Sequence, residues 1–174
     1  INDVLVTGAT GGVGCIAVMI LSKFGYKVTA LTGKKDKKNF LKELGASNIL
    51  ERKELEGEHR NLDKGLWDGV VDTVGGKILA NAISQTRSAG IVAACGLAAS
   101  HKLETTVMPF IIRGVKLWGI DCVMCSKKRR EFIWNEAANL INFKILEKYI
   151  KVVGLAELIN IFPGILQGKI AGRV

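Results

Sequence analysis

Near its start the chain runs three apolar β-formers straight into a glycine-rich loop, Val4-Leu5-Val6-Thr7-Gly8-Ala9-Thr10-Gly11-Gly12-Val13-Gly14. Apolar residues then recur at helical spacing at Val13, Ala17, Ile20, Leu21 and Phe24, and Gly25 closes the pattern. A strand, a tight glycine turn and a helix N-terminus in that order are compatible with few folds. Glycines let the backbone turn sharply and approach a ligand closely. The first N–H groups of the helix lack partners and carry partial positive charge, which makes the turn a cradle for a diphosphate. A plain strand–helix turn without a ligand is the competing explanation, and it has to be weighed against the downstream segments.

Residues 27–32 read as a second strand, which completes a parallel, right-handed β-α-β unit. A second helix over 39–44 closes at Gly45, and residues 47–50 form a short third strand. Residues 51–66 are polar and charged and predict a surface excursion with an exposed His59. Residues 67–76 are a fourth strand ending in another glycine turn. Its apolar residues run together, as in a central parallel strand. Asp72 is expected to accept hydrogen bonds from backbone N–H groups of that turn rather than to act as a catalytic acid. A helix over 77–87, a fifth strand over 91–96, a short helix at 108–114 and a sixth strand over 115–121 follow. The spacing of Phe132, Ala137, Leu140 and Ile141 predicts a helix over 128–141 that buries them. A last helix over 155–167 should kink or break at Pro163-Gly164, and Gly172-Arg173-Val174 reads as the start of another strand.

Six strands alternating with helices predict a doubly wound, parallel six-stranded α/β sheet of order 3-2-1-4-5-6, the Rossmann arrangement, in a single domain over residues 1–174. Ligands of such sheets lie across the carboxyl ends, where the strand order reverses. One crevice should therefore gather Gly11, Gly12, Val13, Gly14 and Cys15; Thr32, Gly33, Lys34 and Lys35; Val74 and Gly75; Gly96 and Leu97; and Ile120, Asp121 and Cys122. The end of the second strand selects the cofactor. A carboxylate there would bond a ribose 2′-OH and repel a 2′-phosphate, whereas Thr32-Gly33-Lys34-Lys35 offers a hydroxyl, backbone N–H groups and two lysines. NADP(H) is expected in preference to NAD(H); the alternative is a solvated lysine-rich turn.

The chain's 174 residues, 48% of them apolar, suffice for a core of their own, and the net charge of +9 sits in two short basic runs without interleaved aromatics. No nucleic-acid partner is expected. No apolar run reaches the length of a membrane span, so no membrane partner is expected either. The four cysteines include one C-x-x-C, Cys122 to Cys125, with no second pair to complete a metal site. Reduced thiols of a cytoplasmic protein and no bound metal are expected. The start at Ile1, two residues before a core strand, reads as that of a domain taken from a longer protein.

The glycine string also fits short-chain dehydrogenases and non-catalytic NADP-sensing regulators. The former need a Tyr-x-x-x-Lys pair, and the residues four beyond Tyr26 and Tyr149 are Ala30 and Val153. The downstream strings decide further: Leu44-Gly45-Ala46-Ser47, Asp72-Thr73-Val74-Gly75-Gly76-Lys77, Ala93-Ala94-Cys95-Gly96-Leu97-Ala98, Thr105-Thr106-Val107-Met108-Pro109-Phe110-Ile111, Gly119-Ile120-Asp121-Cys122-Val123-Met124, Arg129-Arg130 and Gly168-Lys169-Ile170-Ala171-Gly172-Arg173. Through them essentially the whole chain resembles the cofactor domain of the medium-chain dehydrogenase/reductase superfamily, in its zinc-free, quinone-oxidoreductase-like branch, nearest the acrylyl-CoA reductases.

The resemblance implies NADPH-dependent hydride transfer to a conjugated enone or enoyl thioester. It places the diphosphate on residues 11–15, the 2′-phosphate at 32–35 and the nicotinamide ribose and ring near 96–97 and 120–122. It also implies a GroES-like substrate domain outside this chain, no catalytic residue within it, and dimers through the sixth-strand edge. The family often has serine at the positions of Cys15 and Cys122, and some members have arginine at the position of Asn48, where a contact to the adenine or phosphate side is in doubt. A non-enzymatic NADP sensor is the alternative function.

Overall fold

The computed structural model describes residues 2–58 and 60–174, so the expectation for His59 lies outside the described residues. The strands are β1 (Asp3–Val6), β2 (Lys27–Thr32), β3 (Asn48–Glu51), β4 (Trp67–Asp72), β5 (Thr86–Ala94) and β6 (Lys116–Gly119), all parallel, in the order β3-β2-β1-β4-β5-β6. The helices are α1 (Gly12–Lys23), α2 (Lys38–Glu43), α3 (Gly76–Ser84), α4 (Met108–Arg113), α5 (Lys127–Leu140), α6 (Phe143–Leu146) and α7 (Leu158–Leu166). Strand side chains alternate between faces, so neighbours in sequence feed two cores. Leu5, Leu31, Val70 and Val92 pack with Ile78, Leu79 and Ile83 of α3 on one face. Val6, Val28 and Ala30 pack with Val18 and Met19 of α1 and with Phe40 and Leu41 of α2 on the other. The sheet is thus covered on both sides, as the continuous apolar runs of its strands require.

Several local expectations are corrected. The fully buried residues of α1 are Gly14, Cys15, Val18 and Met19; of the expected stripe Ala17 and Leu21 are half-buried against the core, while Val13 and Phe24, at its two ends, are exposed. The excursion after β3 is anchored: Leu55 is buried among the core residues, and Asn81 Nδ2 donates to the carbonyls of Leu55 and Gly57 at 2.7 and 2.9 Å. On α5 no side chain is buried; Ala137 and Leu140, with Ile141 just beyond the helix, are half-buried, and Phe132 is exposed. Pro163 does not break α7, which runs on through it to Leu166. Gly172-Arg173-Val174 adds no strand to the sheet; Arg173 forms an isolated parallel bridge with Ile150.

β5 begins five residues earlier than its apolar run. Trp67 pairs with Thr86 and Gly69 with Ile91, so β5 carries extra residues there, with Ala89 at a φ of 60°. The irregularity puts Arg87 across the amino ends of the central strands, where Nη1 donates to Asp3 Oδ2 and Asp68 Oδ2, both at 2.9 Å. Asp68 also accepts the N–H groups of Asn2 and Asp3 at 3.0 Å each. Those backbone bonds, reinforced by Arg87, pull its carboxyl down to about 2. A depressed folded-state pKa gives stability that is complete above the unfolded value and lost as pH falls through the folded one. Asp68→Asn is expected to cost about 1–2 kcal/mol at neutral pH. The difference from the parent should shrink steadily between pH 4 and pH 2 in urea unfolding curves. A pH-independent difference would assign the loss to shape rather than charge.

Candidate cofactor site

The glycine loop, which continues β1, is tied to the strands on either side of it, β4 and β2. Thr7 N–H donates to the Val71 carbonyl at 3.0 Å and Ala9 N–H to that of Leu31 at 3.1 Å. Thr7 Oγ1 donates to Asp72 Oδ1 at 2.6 Å, and Asp72 Oδ2 accepts the Gly75 N–H at 2.8 Å, so Asp72 is the turn-holding group expected. Burial pushes its carboxyl pKa up, and the bonds from Thr7 and the turn oppose that. Gly8 has a φ of 58°, and a Cβ there would fall 2.3 Å from Thr73 Oγ1. Gly11 caps α1 in extended conformation without a side chain. The first helical bond runs from Cys15 N–H to the Gly11 carbonyl at 3.0 Å, so the N–H groups of Gly12, Val13 and Gly14 have no partner within the helix.

Over this loop lies a cavity of about 530 Å³ at the carboxyl ends of the strands. Of the expected residues, Gly11, Gly12, Thr32, Gly33, Lys34 and Val74 line it. A second cavity, of about 510 Å³, has Gly75, Gly96, Leu97, Ile120 and Asp121 in its wall. Val13 and Cys15 face a third, apolar cavity of about 380 Å³ with Trp134 and Tyr149. Gly14 lies beneath the loop, where a Cβ would meet the Gly8 carbonyl oxygen at 2.3 Å. Lys35 is turned to Glu51, 3.2 Å away, and lines none of the three. Asn48 is not brought to the crevice. It opens β3 opposite Thr29, and the residue level with Thr32 is Glu51. Cys122 lies in the exposed turn after β6, its carbonyl accepting from Arg130 Nη2 at 2.6 Å.

One corner of the first cavity is cationic. The hydroxyls of Thr10 and Thr32 stand 3.0 Å apart; Lys34 Nζ donates to Thr10 Oγ1 at 3.4 Å, and its N–H to Thr32 Oγ1 at 3.1 Å. Arg52 packs beside Gly33, its Cδ 3.5 Å from where a Cβ would stand, and is paired with Glu56 at 2.6 Å. Burial lowers the pKa of Lys34; Asp36 opposes that shift, while Arg52 and Lys37 lower it further. A half-buried ammonium beside a guanidinium is stabilised by an anion placed between them. At the other end of the cavity Arg173 sits over the start of α1, its Nη1 3.1 Å from where a Gly12 Cβ would stand. Gly172 N–H donates to the Thr10 carbonyl at 2.8 Å and ties that segment to the loop.

Thr10, Arg52 and Arg173 were not among the expected site residues. Arg52 follows β3, and β3 is the neighbour of β2, so the strand order already places it beside Gly33; the charged character of 51–66 masked that. Arg173 comes after the last helix, and no spacing in the sequence connects it to the loop.

A glycine loop feeding the unpaired N–H groups of a helix N-terminus at the switch point of a doubly wound parallel sheet, with a cationic corner beyond its second strand, is the architecture of the dinucleotide-binding α/β class. The family model for zinc-binding dehydrogenases matches residues 12–155, and the chain belongs to that family. The chain is 42% identical over 174 residues to acrylyl-CoA reductase AcuI of Ruegeria pomeroyi, covering 99% of this chain and 53% of that protein. The crystal structure of the yhdH oxidoreductase from Salmonella enterica in complex with NADP is matched with a TM-score of 0.94 and 42% identity, over 98% of this chain and 52% of that one. The structure of Bacillus subtilis protein yhfP with NAD bound is matched with a TM-score of 0.89 and 43% identity, over 99% and 53%. The kinship read from the sequence strings is therefore met, and the chain spans about half the length of these relatives. Among the described residues no group of three or more His, Cys, Asp or Glu side chains is gathered as a metal would require. Nor is any helix among them long and apolar enough to cross a membrane.

Proposed function

We propose that this chain binds NADPH in preference to NADH and is the cofactor half of a reductase acting on conjugated enones or enoyl thioesters. The observation that carries the reading is the cationic corner of Thr10, Thr32, Lys34 and Arg52 at one end of a crevice whose middle is the α1 N-terminus. A 2′-phosphate matches the corner, and a diphosphate matches the free N–H groups of Gly12, Val13 and Gly14 with Arg173 over them. When bound, the nicotinamide supplies a hydride to the electron-poor carbon of the alkene. The chain's own residues bind and orient. The Asp72–Thr7–Gly75 clip holds the switch-point turn, and the segments 96–97 and 120–121 wall the second cavity, where the ring end would project. The substrate's remaining contacts are assigned to the part of the longer protein that the relatives' extra length represents. The β6 edge is exposed along its length, with Trp118 61% exposed, and is the proposed surface for pairing with a second copy.

The test is NADPH consumption with acrylyl-CoA. The 174-residue chain alone is expected to bind NADPH yet turn over at least about a hundredfold more slowly than a full-length relative, because the alkene is not positioned. Turnover by the chain alone at the relative's rate would contradict the half-site reading.

A further inference from the structure

The second basic run, Lys127-Lys128-Arg129-Arg130, takes no part in the corner assigned to the cofactor. It opens α5 directly after the turn that leaves the second cavity. Asp121 lines that cavity, and its Oδ1 accepts the N–H groups of Val123 and Met124 at 2.8 and 3.0 Å. Arg130 donates to the Cys122 carbonyl and fastens the run to the same turn. The segment from the cavity wall to Lys127 could span roughly 20 Å at full extension, and the turn shortens that.

The first turn of α5 contains no acid. Lys127 is paired with Glu131 at 3.7 Å, while Lys128 and Arg129 have no acidic partner among the described residues. His101 and Lys102 stand in the wall of the same cavity, and Ser100 Oγ accepts the Lys102 N–H at 3.0 Å. Between Lys102 and the basic run the wall is largely apolar, with Leu79, Leu97 and Ile120. An apolar chamber with positive charge at its wall and beyond its rim suits a small acyl group joined by a long neutral arm to phosphates.

We infer that Lys128 and Arg129, with Lys102 at the cavity wall, hold the phosphates of a coenzyme A thioester whose acyl end enters the second cavity. This rests on the reductase reading above and names the residues that select a CoA ester over a simple enone.

The chain is first saturated with NADPH, which keeps the phosphoadenosine of CoA out of the Lys34–Arg52 corner, and then titrated calorimetrically with CoA and with dephospho-CoA. CoA is expected to bind about tenfold more tightly than dephospho-CoA, with an affinity that falls as salt is raised. The double variant Lys128→Ala/Arg129→Ala should bind CoA no better than the parent binds dephospho-CoA, while keeping the parent's affinity for NADPH. Failure of the parent to bind NADPH overturns the reductase reading and this inference with it. NADPH binding together with equal affinities for CoA and dephospho-CoA, or with unchanged CoA affinity in the double variant, overturns the CoA subsite alone. Loss of affinity for an RNA oligonucleotide in the variant with CoA binding intact would assign the run to nucleic acid and overturn it equally.

Discussion

A Gly14→Ala variant loses measurable NADPH binding and is less stable than the parent. The added Cβ would stand 2.3 Å from the Gly8 carbonyl oxygen and 2.8 Å from Ala9 Cα. Both are backbone atoms, so no side-chain rotation relieves the overlap. Either α1 retreats or the loop is displaced, and the loop is tied to β2 through Ala9 N–H and to β4 through Thr7 N–H. Overpacking against fixed backbone costs about 2–4 kcal/mol. A shift of an ångström in the three free N–H groups of the first helical turn lowers affinity by about a hundredfold or more. Gly57→Ala is the matched control, since nothing lies within 4 Å of its Cβ position; it should leave both properties unchanged. Urea unfolding and NADPH fluorescence titration of the two variants check this, and normal NADPH affinity in Gly14→Ala would separate the cradle from the cofactor.

The second large effect belongs to the corner. Lys34→Ala/Arg52→Ala is expected to weaken NADPH binding by about a hundredfold, the worth of two charge-assisted contacts to one phosphate. NADH has no 2′-phosphate, so its affinity should change by less than about threefold. Lys34 adds a pH signature. Burial, with help from Arg52 and Lys37, holds its pKa below the usual lysine value in the free protein, and a bound phosphate raises it again. Above the second ionisation of the 2′-phosphate, at about pH 6, NADPH affinity is constant for as long as Lys34 is charged in both states. It falls as pH rises through the depressed value, because binding must take up a proton. NADH affinity should show no such fall, and titrations across the alkaline range compare the two.

Much of this was legible in the residues. Strand order came from alternating apolar runs and glycine turns, and it alone brought Gly11, Thr32, Lys34 and Val74 to one cavity although they are scattered in sequence. Asp72 was legible because a carboxylate followed by Val74-Gly75-Gly76 has turn N–H groups within reach. The hidden part depended on contacts that periodicity does not encode. Lys34 and Lys35 are equivalent in sequence, yet Glu51 takes one and the hydroxyls of Thr10 and Thr32 take the other. Asn48 entered as a site residue through the resemblance, at a position where some family members have arginine; it stands at the amino end of β3, opposite Thr29, and it is Arg52, just beyond Glu51 at the other end, that lines the crevice. The stripe assigned to α5 held at three of its four positions and failed at Phe132. Ala137, Leu140 and Ile141 are half-buried, but Phe132 stays exposed on a helix with no buried side chain.

Whether this crevice suits a phosphorylated dinucleotide is decided by calorimetric titration of the unaltered chain with NADPH and with NADH at low salt. The relative crystallised with NAD makes the comparison decisive. NADPH is expected to bind at least about tenfold more tightly, with the advantage shrinking as salt screens the Lys34–Arg52 corner. Equal affinities, or tighter binding of NADH, would contradict it.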